Sequence, residues 1–221
     1  PGTMEIREGL REHATVPFDL INNLIIIPVR INGASPLYFI LDSGVKNTLI
    51  TQLYENDTLR IKEASRINIL GHGQGQKLEA YRSVNNTLDI GRLHGEGFEL
   101  NVLFHDIFHL SSRLGRRVHG IIGYDVMRHF VVHINYQSEM LRFYPAGEFD
   151  KWWVDWLYKE FPLEIYNEKP YLKMWVQLHK NSPKVAVNML IDTGSSETLW
   201  IFQESDKRLA IPERKEHVYI G

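Results

Sequence analysis

The segment MLIDTGSSETLW at residues 189–200 has a counterpart, FILDSGVKNTLI, at residues 39–50. Aligned Asp192 on Asp42, both show two apolar residues, the Asp, a hydroxyl residue and Gly, with Thr-Leu following at Thr198-Leu199 and Thr48-Leu49. One Asp-[Ser/Thr]-Gly is ordinary turn composition, and its carboxylate can simply cap the turn. Two with matching flanks, 150 positions apart, mark a duplicated unit. The likeness extends outward. Pro17-Phe18-Asp19-Leu20 and Pro162-Leu163-Glu164-Ile165 each open a β-rich apolar run, a polar turn containing Pro and a second apolar run into the Asp. Ile69-Leu70-Gly71 and Tyr219-Ile220-Gly221 each end 29 positions after their Asp. A repeat on this scale settles domain organisation before any local pattern is read. It predicts a first lobe over residues 15–147, a linker over 148–161, and the N-terminal part of a second, homologous lobe over 162–221, whose copy stops at Gly221.

The pattern within the first unit is β. Leu24–Ile31 and Leu37–Leu41 are β-branched or aromatic runs around Asn-Gly-Ala-Ser-Pro, a hairpin composition. Ile67–Leu70 and Leu78–Ser83 flank the glycine-rich tip Gly71-His72-Gly73-Gln74-Gly75. Leu88–Ile90, Phe98–Phe104, Val118–Ile122, Phe130–Tyr136 and Met140–Tyr144 are further strands. Many short strands between turns predict an all-β barrel or sandwich. Between the lobes, Phe149, Trp152, Trp153, Trp156 and Leu157 recur at helical spacing and predict a short amphipathic helix in 150–161 that docks on a lobe. Pro1-Gly2-Thr3-Met4 reads as a remnant ahead of an internal start and is set aside from the fold.

Composition narrows the chemistry. Lys and Arg total 25 against 27 Asp and Glu, a net charge of −2 that offers no signal for nucleic acid. No apolar run is long enough for a membrane-spanning helix. The absence of cysteine removes disulfides, thiol nucleophiles and Cys-based zinc sites. It leaves the compartment open, with a slight lean to an extracytoplasmic one. His105/His109 and His129/His133 are each four apart, but one pair lies in an irregular stretch and the other in an alternating strand, and no HExxH occurs. No metal and no cofactor is expected. The Gly71–Gly75 run joins two strand patterns rather than opening a helix, which disfavours a nucleotide site. Arg113, Arg116 and Arg117 read as a solvated basic loop, with substrate contact or proteolytic nicking as alternatives.

With paired Asp loops on duplicated β units, the chain resembles the aspartic peptidases, closer to their retropepsin-like bacterial branch than to pepsin. The resemblance covers the first unit, about Pro17 to Tyr144, and the start of the second. It implies an acid-protease β-barrel lobe, duplicated, and an aspartic endopeptidase acting on a peptide or protein substrate. The catalytic pair would be Asp42 and Asp192. Ser43, Gly44, Thr193, Gly194 and Ser195 would support the catalytic loops, with Ser43 and Thr193 hydrogen-bonding across the junction. Gly71, His72, Gly73, Gln74 and Gly75 would form the flap, and Ile121, Ile122 and Gly123 of GIIGYD would thread beside the first loop.

The residues themselves fit that chemistry. Hydrolysis without metal or covalent nucleophile needs one group to take a proton from water and another to give one to the carbonyl. Two carboxyls sharing one proton do both, because like charges about 3 Å apart resist joint ionisation. Gly44 and Gly194 permit the tight turns that bring the carboxyls face to face. Three positions after Asp192 stands Ser195, and three after Asp42 stands Val45; a hydroxyl supports a carboxylate and an apolar neighbour does not. Asp42 is therefore expected to hold the shared proton more of the time. Ending at Gly221, the second copy lacks its own flap and GIIGYD counterpart, so weak or absent activity is expected of this chain. Dimerisation through the unpaired second-lobe edge, or pairing of two first lobes through Asp42, remains open. So does a noncatalytic peptide-binding relative.

Overall fold

The computed structural model describes residues 2–9, 12–70, 77–147, 149, 159–178, 180–201 and 206–209. The first lobe opens with β1 (Thr3–Ile6), β2 (Ala14–Pro17), β3 (Asp19–Ile21), β4 (Leu24–Ile31), β5 (Leu37–Leu41) and β6 (Leu49–Ile50). It continues through β7 (Ala64–Leu70), β8 (Lys77–Ile90), β9 (Leu93–Leu103), helix α1 (Leu110–Leu114) and β10 (Gly120–Ile122). Helix α2 (Tyr124–Met127), β11 (Phe130–Asn135) and β12 (Met140–Pro145) complete it. The second segment supplies β13 (Leu163–Tyr166), β14 (Lys169–Val176) and β15 (Val185–Leu190).

Strands β9, β6, β10, β5, β4 and β8 follow one another around the main sheet, and pairing of β8 with β9 closes the ring into a six-stranded barrel. The sequence expectation of an all-β acid-protease lobe therefore holds. Strand β4 explains why its sequence, LIIIPVRI, is apolar almost throughout. Ile25, Ile27, Val29 and Ile31 face the main core with Phe39, Phe98 and Phe143, while Leu24 and Ile26 face a smaller cluster with Ile40, Leu110, Val118 and Ile121. Both faces are covered, so alternation disappears. Each fully buried aromatic or branched side chain here contributes about 1.5–3 kcal/mol. Antiparallel strands β11, β12 and β2 form a second sheet whose Val16, Leu141 and Phe143 join the main core.

The segments leading to the two Asp residues share a local geometry. Strands β3 and β4 are joined by Asn22-Asn23, and β13 and β14 by Asn167-Glu168, and all four residues have positive φ. Two-residue turns of this kind match the right-handed twist of the flanking strands. Sheet β13-β14-β15 repeats β3-β4-β5 and delivers Asp192 as β5 delivers Asp42. The two copies differ in cover. Leu163, Ile165, Tyr166 and Trp175 are exposed in the second, Trp175 by 70%.

Several local expectations require correction. Thr3 and Met4, set aside as a remnant, pair with Glu96 and Gly95 of β9. Leu78–Ser83 and Leu88–Ile90 are parts of one strand, β8; register shifts at Asn86 and a positive φ at Asn85 break its alternation. The interlobe helix falls largely on residues outside those described.

Glu139 holds φ 51° in the β11–β12 turn. A side chain there is strained while glycine is not. Glu139→Gly is expected to stabilise the protein by about 0.5–1 kcal/mol, read as a rise in thermal midpoint.

Candidate active site

Asp42 leaves the end of β5, and its amide donates to the Ile122 carbonyl at 2.9 Å, continuing the parallel pairing of β5 with β10. The Gly44 amide then donates to Asp42 Oδ1 at 2.7 Å. The same turn forms after β15, where the Gly194 amide donates to Asp192 Oδ1 at 2.9 Å. Each Asp thus anchors its own turn, as any capping Asp does. What lies between the turns distinguishes them.

The Ser43 amide donates to Thr193 Oγ1 and the Thr193 amide donates to Ser43 Oγ, both at 3.1 Å. Each hydroxyl then donates across the junction, Ser43 to the Ile191 carbonyl at 2.6 Å and Thr193 to the Leu41 carbonyl at 2.8 Å. Four reciprocal hydrogen bonds clamp the loops together, each hydroxyl serving once as donor and once as acceptor. The carboxyls converge inside the clamp. A methyl group at Gly44 would lie 3.1 Å from Asp42 Oδ1 and 3.1 Å from Asp192 Oδ1, so these oxygens are within 6.2 Å of each other. Asp192 lies close enough for its carboxyl to raise the proton affinity of Asp42.

Their surroundings differ. Asp42 is 8% exposed, whereas Asp192 is exposed. Burial first, and then the charge of Asp192, push the Asp42 carboxyl up to about 7, against the Gly44 amide and Lys169, which favour its ionised form. The sequence argument placed the shared proton on Asp42 for a different reason. The Ser195 hydroxyl is engaged with the Glu197 backbone, accepting from its amide at 3.3 Å and donating to its carbonyl at 3.5 Å. The asymmetry comes from burial of Asp42 instead.

Ile121, Ile122 and Gly123 run beside the first loop. Beyond them, the Tyr124 amide donates to the Val45 carbonyl at 2.7 Å and the Asp125 amide to the Lys46 carbonyl at 3.0 Å. Asp125 is the supporting residue that the sequence argument missed, although it ends the quoted GIIGYD. Its buried carboxylate accepts from the Thr48 amide at 3.1 Å and from the Thr48 hydroxyl at 3.2 Å, tying α2 to the loop that follows Asp42. Burial pushes this carboxyl up to about 6, against the Thr48 donors. Asp125→Ala would strand the Thr48 amide and is expected to cost about 1–3 kcal/mol of stability, measured by urea unfolding. His119 pins the other end of β10. Its Nδ1 accepts from the Tyr38 amide at 2.9 Å, so its proton sits on Nε2, 3.4 Å from Asp57. Burial chiefly holds this imidazole below its ordinary range. Neither partner is near it in sequence, and no local pattern announces the pair.

The cleft around the two acids has a volume of about 720 Å³ and is largely apolar, with Leu24, Ile40, Phe108, Leu110 and Ile121 in its wall. Gly71, His72, Gly73, Gln74 and Gly75, the expected flap, lie outside the described residues. Among those described, no group of three or more His, Asp or Glu residues is arranged to hold a metal ion, and no helix is long and apolar enough to cross a membrane.

A closed barrel with a parallel strand threaded beside an Asp-Ser-Gly loop defines an aspartic peptidase fold. A family model described as aspartyl protease matches residues 27–126, from within β4 to α2, so this stretch of the barrel is similar to aspartyl protease domains. No curated protein matched the chain.

Proposed function

We propose that this protein is an aspartic endopeptidase in which Asp42 and Asp192 act as one acid–base unit. The observation that carries the reading is the reciprocal clamp between Ser43 and Thr193, which spans 150 residues of sequence to place two carboxyls in one cleft. Turn capping alone requires no such junction. Asp42, buried and raised, carries the shared proton and gives it to the peptide carbonyl oxygen. The exposed carboxylate of Asp192 accepts a proton from water, whose oxygen attacks the carbonyl carbon. Breakdown of the tetrahedral intermediate transfers a proton to the departing amine and breaks the C–N bond. The proton inventory belongs to the pair rather than to either residue.

The test is incubation with a mixed peptide substrate set, mass spectrometry of the products, and titration with a statine-type transition-state mimic. Cleavage that is blocked by the mimic and lost in Asp192→Asn supports the reading. Tight peptide capture with no cleavage, unaffected by Asp192→Asn, would instead mark a noncatalytic binding module.

A further inference from the structure

Among the described residues lining the cleft, every ionisable side chain apart from Asp42 and Asp192 is cationic: Lys46, Arg113 and Lys169. The chain as a whole carries a net charge of −2, so this is a local arrangement rather than an overall bias. The three cations are not equivalent. Lys46 is neutralised by Glu168 at 3.1 Å. Lys169 lies near enough to Asp42 to favour its ionised form. Arg113 is exposed and makes no side-chain hydrogen bond or ion pair with any described residue. The neighbouring arginines are engaged elsewhere, Arg116 with Asp19 and over the Tyr38 ring at 4.7 Å, Arg117 over the Tyr54 ring at 4.9 Å.

Arg113 sits in α1 between Leu110, which is buried, and Leu114, which is half-buried, and all three line the cleft. Ile107 and Phe108 extend the same wall just before the helix. An apolar substrate side chain resting on this wall brings the side chain two positions away in an extended peptide, which shares its face, to the guanidinium. A carboxylate there gains a charge-assisted partner, and an ammonium meets repulsion. Resting on the reading of the cleft as a peptide-binding site, we infer that Arg113 is a specificity-determining residue that selects substrates in which Asp or Glu stands two positions from a bulky apolar residue.

The test uses binding, so that it does not depend on turnover. Fluorescent peptides with a reduced, uncleavable bond beside Leu or Phe are prepared in matched pairs carrying Glu or Gln two positions to either side of that residue in turn. At low ionic strength one Glu peptide is expected to bind on the order of threefold to fivefold more tightly than its Gln twin, the scale of an exposed ion pair. Arg113→Gln should erase that difference, and Arg113→Glu should transfer the preference to the corresponding Lys peptide. Equal binding of every Glu and Gln pair, or a preference that persists in Arg113→Gln, overturns the inference and leaves the peptide cleft standing. Failure of all the peptides to bind removes both.

Discussion

The Asp42→Asn protein is expected to hydrolyse peptides about 10²- to 10⁴-fold more slowly than the parent, the scale of losing one acid–base group, and yet to be the more stable of the two at pH 8. The two effects share one cause. Asp42 is buried against a second carboxyl, so its folded-state affinity for a proton is raised from 3.8 to about 7. A group of this kind contributes its stability fully below its unfolded value, and the contribution is lost as pH rises through the folded value. At pH 8 the ionised carboxylate is held beside Asp192 at a cost that the neutral amide does not carry. Asn retains an oxygen for the Gly44 amide, so the turn survives. The difference in thermal midpoint between variant and parent should grow from pH 4 to pH 7, reaching on the order of 5 °C. A carboxylate that merely capped its turn would show a flat or opposite difference, and its replacement would leave cleavage intact. Thermal scans across pH, paired with peptide turnover, read both quantities.

Legibility of this molecule from sequence followed the reach of each constraint. The Asp loops were legible because a tight turn after a buried strand demands the same small residues each time it is built. Ser43 and Thr193 announce themselves beside their aspartates, and in the folded chain they hydrogen-bond each other. Strand β4 was legible as β from its branched residues, but its burial on both faces was not, because that depends on what the barrel closure and α1 bring against it. The two-residue β6 is too short to show any period, yet it pairs with both β9 and β10. Strand β8 was read in two pieces because a bulge resets the side-chain alternation on which strand reading relies. Asp125 and His119 went unassigned for a further reason. Their partners Thr48 and Asp57 are distant in sequence, and an acid or a histidine looks the same in a string whether it is solvated or sealed inside a lobe.

Gly120 marks the place where the barrel tolerates least, and Gly120→Ala is expected to cost about 3 kcal/mol or more, the upper range of overpacking. The added methyl would lie 2.0 Å from the Leu49 carbonyl oxygen and 3.0 Å from Ile50 Cα, both backbone atoms of β6. No rotamer change relieves a clash with backbone, so β10 and β6 must part. Strand β6 has two residues and is fixed on its other side to β9, which leaves it little freedom to yield. Strand β10 carries the Ile122 carbonyl that receives the Asp42 amide, so the displacement reaches the Asp42 loop as well. Gly194→Ala provides the contrast. Its methyl would lie 2.2 Å from Asp42 Cγ and Oδ2, against a side chain rather than backbone and on a loop that is only half-buried. Stability should then change by no more than about 1 kcal/mol, as for a site away from tightly packed backbone, while the carboxyl pair is forced apart and turnover collapses. Urea unfolding and peptide hydrolysis measured on both variants separate the two roles. Gly120→Ala should lose stability and activity together, and Gly194→Ala should lose activity alone. Equal destabilisation by the two substitutions would mean that the Asp192 loop is as integral to the fold as the barrel, contrary to the exposure of its carboxyl.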